Sequence, residues 1–149
     1  MSCDLTHHSV SIAVLQRDID HMGHVNNAVY IQWVQMATQS FWESRASPQM
    51  LKETLWIALR HEVDYQRPTL LGDRIHVSLR LISLATARAS IEYLIHRENQ
   101  QVARLVSTWC CIDASSRRPK RITDTIRARF GSNKGSNPGC ICGAAVCRG

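Results

Sequence analysis

One segment of helical periodicity stands among segments of strand periodicity in this chain of 149 residues. Within 28–43 the apolar side chains recur at helical spacing and would form one buried stripe, made up of Tyr30, Trp33, Val34, Ala37 and Phe41. Alternating apolar and polar residues predict one strand before this helix, at 9–16, and four strands after it, at 57–67, 74–84, 87–96 and 101–112. This order predicts an α+β fold in which a sheet wraps around the helix. The edge strands of such a sheet need cover, which favours a homodimer or homotetramer.

The composition is that of one globular domain without a membrane span. Apolar residues make up 44% of the chain and charged residues 20%. No apolar run approaches the roughly 20 residues that cross a bilayer. The first residues lack a basic flank followed by an apolar stretch, so no secretory signal is predicted and a cytoplasmic location is expected.

The last 19 residues, 131–149, differ from the rest of the chain in composition. They contain five of the seven glycines and show no apolar period, so we expect a domain over 1–130 followed by a flexible tail rich in Gly and Cys. Three of the six cysteines, Cys140, Cys142 and Cys147, lie in this tail. Three thiols without a histidine fall short of the four ligands of a structural zinc site, so no metal site is predicted.

Positive charge is concentrated near the end of the predicted domain. The chain has a formal net charge of +6, and one basic cluster contains no acidic residue, namely Arg117, Arg118, Lys120 and Arg121. Such a cluster suits the phosphates of a nucleotide-bearing ligand, a nucleic acid or a membrane surface, or is an exposed chain end. Because no aromatic side chain is interleaved to stack bases, a nucleic-acid partner is not predicted.

The residues immediately before the helix are suited to catalysis. Positions 18–30 read Asp-Ile-Asp-His-Met-Gly-His-Val-Asn-Asn-Ala-Val-Tyr. Asn26 or Asn27 is a natural N-cap, and the N–H groups that a helix start leaves free can hold a developing oxyanion. A carboxylate beside such a helix start is suited to a chemical role, while capping or turn formation is the alternative for Asp18 and Asp20.

The pattern Asp-x-Asp-x-x-Gly-His-Val-Asn-Asn-x-x-Tyr resembles that of hot-dog-fold acyl-CoA thioesterases of the 4-hydroxybenzoyl-CoA thioesterase type. A second signature agrees with it, because Asp-Tyr-Gln-Arg-Pro at 64–68 is followed by Leu-Gly-Asp at 71–73. The resemblance implies an antiparallel five-stranded sheet wrapped around one long helix, in the order βαββββ. It also implies hydrolysis of an acyl-CoA thioester to a free carboxylic acid and coenzyme A, with no cofactor.

The resemblance also assigns roles to individual residues. It makes Asp20 the catalytic carboxylate, acting as nucleophile or as general base on water, and places the oxyanion donor at the N–H of Asn27 and its neighbours. Some relatives carry a histidine at the position of Asn27, whereas this chain has His24, which either transfers a proton or shapes the loop. Substrate contacts are expected from Gly23, Asn26 and Tyr30, with core packing as the alternative for Tyr30. Phosphate contacts are expected from the basic cluster, Arg117, Arg118, Lys120 and Arg121.

Three functions are compatible with these residues, and the resemblance to the thioesterase branch disfavours a fourth, that of a hot-dog dehydratase. Hydrolysis of an acyl-CoA is the leading hypothesis, and hydrolysis of an acyl-carrier-protein thioester is a close alternative. A non-catalytic acyl-CoA-binding protein is the third, because a fold alone does not determine function. The carboxylate of Asp20 next to the helix start favours an enzyme over a binding protein.

Overall fold

The computed structural model describes residues 5–131, which form one sheet, one long helix and two short helices. The elements in chain order are β1 His7–Ala13, a 3-10 turn at Gln16–Asp18, α1 Asn27–Arg45, α2 Pro48–Glu53, β2 Thr54–Tyr65, β3 Arg74–Leu84, β4 Arg88–Arg97, β5 Gln100–Asp113 and α3 Asp124–Arg129. The predicted succession of one strand, one long helix and four strands is confirmed.

All five strands belong to one antiparallel sheet in the order β1-β3-β4-β5-β2. The strands β3, β4 and β5 are neighbours in sequence and in space, whereas β2 pairs with the far side of β5 and becomes an edge. The other edge is β1, which pairs with β3. The predicted α+β fold, with an antiparallel five-stranded sheet around one helix, is therefore confirmed.

The apolar stripe of α1 packs against the inner face of this sheet. The five residues predicted to form that stripe are all buried, and Val29, Thr38 and Trp42 are buried with them. The strands contribute alternate side chains to the same core, because successive residues of a strand point to opposite faces. Those from β3 and β4 include Ile75, Val77, Leu79, Tyr93 and Ile95.

Local sequence signals set the two ends of α1. At its start the side-chain oxygen of Asn26 accepts a hydrogen bond from the Ala28 N–H over 2.9 Å, which makes Asn26 the N-cap. At its end Pro48 begins α2 at a position where the missing N–H costs nothing. Ser47 caps that second helix by accepting a hydrogen bond from the Met50 N–H.

The sequence pattern does not predict α3, which closes the core at the end of the described residues. Ile126 of this helix is 3% exposed, and Phe130 just after it stacks on Phe41 with 5.1 Å between ring centroids. The predicted tail lies outside the described residues, apart from Gly131. None of the helices within 5–131 has the length and apolar character that crossing a membrane would require.

Candidate active site

The loop before α1 is a tight turn closed by backbone hydrogen bonds. Ile19 and Val25 form an antiparallel bridge, and inside it the Asp20 N–H donates to the His24 carbonyl oxygen over 2.9 Å. The Gly23 N–H donates to the Asp20 carbonyl oxygen, and Gly23 has a φ of +80°. A side chain at that backbone conformation would be strained, so the turn itself requires the glycine of the motif. Asp20 and His24 are thereby held opposite each other.

The two aspartates of the motif have different surroundings. Asp18 is 8% exposed, and its carboxylate accepts a hydrogen bond from the Leu15 N–H over 2.8 Å. Asp20 is more exposed, and its carboxylate accepts a single bond within residues 5–131, from the Met22 N–H over 2.8 Å. Asp18 therefore has the capping role considered for it. Asp20 keeps a second carboxylate oxygen that is available for chemistry while the first one shapes the turn.

The start of α1 leaves one backbone donor available. The Ala28 N–H donates to the Asn26 side chain, and the Val29 N–H donates to the Asn26 carbonyl oxygen over 2.9 Å. The Asn26 N–H donates to the Asp18 carbonyl oxygen over 2.8 Å, which fastens the helix start to the 3-10 turn. No acceptor within residues 5–131 takes the Asn27 N–H. Asn26 is thus occupied with capping, and Asn27 presents the free donor.

The end of β2 forms a wall beside this helix start. The Tyr65 hydroxyl donates to the Asn27 carbonyl oxygen over 2.9 Å, and the Tyr65 ring meets Tyr30 edge-on with 5.2 Å between centroids. The Tyr30 hydroxyl is hydrogen-bonded to Thr69 Oγ1 over 2.8 Å, and both residues are buried. Burial raises the pKa of Tyr30 above its ordinary value of 10.0, so its hydroxyl stays protonated at neutral pH. Tyr30 is thus a packed residue of the core that also faces the site.

A pocket of about 230 Å³ lies between the helix start and the end of β2. The residues that line it come from both sides and are His24, Val25, Asn27, Tyr30, Tyr65, Gln66, Arg67 and Pro68. It therefore brings together three of the predicted site residues, His24, Asn27 and Tyr30. The loop before α1 also contains Asp20, Gly23 and Asn26, which are not among the eight lining residues. The structure explains the second signature, because the residues at 65–68 complete the pocket.

Arg67 is a cation of this pocket that was not among the site residues predicted from the sequence. One of its guanidinium nitrogens donates to the Gln101 carbonyl oxygen over 2.8 Å, which fixes the side chain beside β5. Gln66 is fixed in the same way, since its side-chain oxygen accepts from Gln101 over 2.9 Å. The signal for both residues is their place in the second signature, directly after β2. Their nearness to the helix start depends on the sheet topology.

The predicted basic cluster lies at the other end of β2. The Lys120 ammonium donates to the Glu53 carbonyl oxygen next to the first residue of β2, and the Asp113 N–H donates to the Arg118 carbonyl oxygen. The strand has 12 residues, so its ends are roughly 35 Å apart along the strand. Within one chain the structure does not bring Arg117, Arg118, Lys120 and Arg121 to the pocket. Among the described residues, no group of three or more His, Cys, Asp or Glu side chains is arranged to hold a metal ion.

Known proteins similar to this chain include two acyl-CoA hydrolases and a thioesterase of known structure. The 1,4-dihydroxy-2-naphthoyl-CoA hydrolase of Synechococcus elongatus is 31% identical over 70 residues, which are 44% of this chain and 52% of that protein. The aligned part thus spans about half the length of that relative. The long-chain acyl-CoA thioesterase FadM of Escherichia coli is 24% identical over 116 residues, which are 75% of this chain and 88% of that protein. A thioesterase of Thermus thermophilus, solved in complex with coenzyme A and Zn, is 33% identical with a TM-score of 0.74, over 82% of this chain and 95% of that chain.

The family model agrees with these similarities. The model described as the thioesterase-like superfamily matches residues 14–130, a range that contains the loop before α1, the second signature and the basic cluster. The expected relationship to hot-dog thioesterases is thus confirmed by the family match and by the fold of the Thermus thermophilus structure. The chain belongs to the thioesterase-like superfamily.

Proposed function

We propose that this protein hydrolyses an acyl-CoA thioester to a free carboxylic acid and coenzyme A. The observation that carries the proposal is the unused Asn27 N–H at the start of α1, in a pocket whose loop also carries Asp20. A thioester carbonyl bound against that N–H would develop its negative charge where a fixed donor already points. The names of the relatives support the same reaction, since two are acyl-CoA hydrolases and the third was solved with coenzyme A.

Asp20 is the group proposed to start the reaction. As a general base it takes a proton from water while the water oxygen attacks the carbonyl carbon. As a nucleophile it attacks the carbon itself and forms an anhydride, which water then hydrolyses. In both routes the carbon–sulfur bond breaks, and the sulfur leaves with a proton as the coenzyme A thiol. His24 lines the pocket and is the candidate donor of that proton, while Gly23 and Asn26 keep the loop and helix in place.

We propose that the basic cluster contacts the substrate bound to a second copy of the chain. The edge strand β2 exposes Ile57 and Leu59, each 49% exposed, and its outer backbone is unpaired within residues 5–131. If two copies pair these edges antiparallel about a twofold axis, the first residues of one β2 lie beside the last residues of the other. The basic cluster of one copy then meets the pocket of its partner. Arg67 of the pocket's own chain supplies a nearer positive charge.

The two alternative functions differ from acyl-CoA hydrolysis in the partner of the basic cluster or in the need for Asp20. An acyl-carrier-protein thioester would place an acidic protein surface on the basic cluster in place of nucleotide phosphates. A non-catalytic acyl-CoA-binding protein would use the same pocket with no need for Asp20. Both alternatives give a measurable difference in the experiment that follows.

The test is the release of free thiol from a panel of acyl-CoAs, with acyl-carrier-protein thioesters run in parallel. The wild-type protein is expected to hydrolyse acyl-CoAs, and Asp20→Asn is expected to lose about a hundredfold or more of kcat. Asp124→Asn is the matched control, because that exposed carboxylate lies on α3, away from the pocket. An absence of hydrolysis across the panel, or equal rates in wild type and Asp20→Asn, would refute the proposal.

A further inference from the structure

A polar groove adjoins the pocket at the helix start. It measures about 620 Å³ and lies at the turn between β4 and β5. Arg67 lines both the groove and the pocket, so the two spaces are neighbours across this side chain. The residues that line the groove are all polar or charged, and they are Arg67, Arg97, Glu98, Asn99, Gln100 and Gln101. An acyl chain would bury no apolar surface there, whereas a polar part of a substrate would find hydrogen-bond partners.

Arg97 fixes one wall of the groove and has its charge balanced. Its guanidinium pairs with the Asp73 carboxylate over 3.1 Å, and it donates to the Pro68 carbonyl oxygen over 3.2 Å and to the Gln100 side chain. These bonds connect the turn between β4 and β5 to the loop that follows Arg67. Because a carboxylate lies at contact distance, Arg97 shapes the groove more than it attracts an anion.

Arg67 differs from Arg97 because its charge has no counter-charge. Within residues 5–131 its guanidinium has a single acceptor, the Gln101 carbonyl oxygen at 2.8 Å, and no carboxylate pairs with it. The side chain is exposed, so its remaining N–H groups are accessible to a ligand. A guanidinium that is held in position and keeps free donors is suited to a phosphate, which it can bind through two parallel hydrogen bonds.

The pantetheine arm of coenzyme A, which ends in a phosphate, is long enough to extend from the pocket into the groove. Tyr65, whose hydroxyl contacts the helix start, pairs with Ala103 of β5. The Arg67 guanidinium is bonded to Gln101 and the groove extends to Asn99, so along the strand the groove lies ~7 to ~13 Å beyond Tyr65. The arm has about 13 bonds between its sulfur and its phosphorus, which gives an extended length of ~16 Å. A thioester held at the start of α1 therefore has its phosphate within reach of Arg67.

We propose that Arg67 and this groove bind the phosphate of a phosphopantetheine arm that carries the acyl group. Coenzyme A and acyl carrier proteins both present this arm, so the substrate class is a phosphopantetheine thioester from either source. The inference rests on the proposed function, since the thioester at Asn27 sets the starting point of the arm. The basic cluster of a second copy then faces the nucleotide, which coenzyme A carries beyond this phosphate.

The test compares kcat/KM for one acyl group carried on 4′-phosphopantetheine and on pantetheine. The wild-type protein is expected to prefer the phosphorylated arm about tenfold, as a hydrogen bond to a charged group would give, and Arg67→Gln is expected to bring the ratio close to one. Arg129→Gln is the matched control that should keep the ratio, because this exposed arginine lies on α3, which contacts the chain just before β4, whereas the groove lies at the end of β4. A wild-type ratio near one, or an equal ratio in wild type and Arg67→Gln, overturns the inference.

The carboxylate in the groove gives a test of opposite sign. Glu98 is exposed and is the acidic member of the six lining residues, so Glu98→Gln should raise the preference for the phosphorylated arm a few-fold at low salt. Arg117→Glu with Arg118→Glu should leave this preference unchanged, because neither thioester carries the nucleotide. A preference that stays the same or falls in Glu98→Gln contradicts a phosphate in the groove. A preference lost in the reversed cluster and kept in Arg67→Gln overturns the inference as well.

Calorimetry separates this inference from the proposed function. If no thioester is hydrolysed, the proposed function fails, and binding of 4′-phosphopantetheine and pantetheine to the wild type and to Arg67→Gln then tests the inference. Tighter binding of the phosphorylated compound by about tenfold, lost in Arg67→Gln, supports it. Equal affinities of the wild type for the two compounds overturn it. Acyl-CoA and acyl-carrier-protein thioesters of the same acyl group distinguish the two sources, and kcat/KM for whichever the wild type hydrolyses should fall about tenfold in Arg67→Gln.

Discussion

The Tyr65 hydroxyl donates a hydrogen bond to the Asn27 carbonyl oxygen over 2.9 Å and so fastens the end of β2 to the first turn of α1. Tyr65→Phe removes this bond and retains the edge-on ring contact with Tyr30. We expect the free energy of unfolding to fall by about 0.5–1.5 kcal/mol. We also expect kcat to fall a few-fold, because the helix start would be held less firmly against the substrate. Urea titration and steady-state kinetics at 25 °C measure both, and an unchanged kcat would show that other contacts suffice to hold the helix start.

Asn27→Pro tests the proposed oxyanion donor with little effect on the fold. Asn27 is the first residue of α1, where proline is well tolerated, and Asn26 has φ −59° and ψ 136°, a conformation that a following proline favours. The substitution removes the backbone N–H and leaves the helix intact. If that N–H holds the developing oxyanion, kcat should fall by about a hundredfold to a thousandfold.

The control for this prediction is Asn27→Ala, which also removes the side chain but keeps the N–H. The readout is the difference in kcat between the two variants, measured together with their circular dichroism spectra. Equal kcat values in Asn27→Pro and Asn27→Ala would show that this N–H does not contribute to the reaction.

Glu92 predicts how stability changes with pH. On the outer face of the sheet its carboxylate accepts from Arg80 over 3.0 Å and from Arg104 over 2.7 Å. Desolvation alone would push the pKa of Glu92 upward, but the two guanidinium groups bring it below its ordinary value of 4.5. A depressed folded-state pKa adds stability that is present above the ordinary value and is lost as the pH falls below it. Glu92→Gln should therefore lower the free energy of unfolding by about 1–3 kcal/mol at pH 7, and by less at each lower pH below 4.5.

Glu62→Gln is the matched control for Glu92, since Glu62 pairs with Arg60 where both side chains are more than half exposed. An exposed pair contributes little, so its loss should leave the unfolding curves nearly unchanged at every pH. A difference between Glu92→Gln and wild type that stayed constant down to low pH would contradict the assignment of the acid-sensitive stability to Glu92.

The position of the basic cluster predicts that it contacts the substrate bound in the pocket of a second copy of the chain. Arg117→Glu with Arg118→Glu should raise KM for acyl-CoA at low salt and leave KM for an acyl-pantetheine without the nucleotide unchanged, because only the former carries the nucleotide phosphates. Mixed dimers identify which chain supplies the charge. When copies carrying Asp20→Asn are mixed with copies carrying the reversed cluster, one intact site per mixed dimer should restore activity. If the cluster serves the pocket of its own chain, mixing restores none.

Long periodic elements of this fold can be predicted from the sequence because one face of each is buried. The strand predicted at 74–84 coincides with β3, and the stripe from Tyr30 to Phe41 is buried as its spacing indicates. The turn around Gly23 is also predictable, since its positive φ suits glycine. By contrast, α3 has only 6 residues, too few to show a period, and it forms because Ile126 and Phe130 fill the core.

The parts of the site that escape prediction depend on which elements meet in space. Arg67 enters the pocket because β2 crosses to the far edge of the sheet and ends at the helix start.

The basic residues near the end of the domain have different structural roles, which their charge alone does not predict. Arg127 donates to the carbonyl oxygens of Leu84, Ala85 and Ile122 and so serves the fold. The cluster at 117–121 is exposed apart from Lys120, and its distance from the pocket follows only from the strand direction.

The loop before α1 and the helix start are joined by main-chain hydrogen bonds, from Asp20 to His24, from Val25 to Thr69 and from Asn26 to Asp18. These three bonds use main-chain atoms only, so exchanges of the lining side chains at Gln66 and Arg67 do not remove them. Such exchanges can change which ligand fits the pocket while the Asp20 carboxylate and the Asn27 N–H keep their positions. The pocket is therefore a suitable starting point for redirecting ligand choice by design.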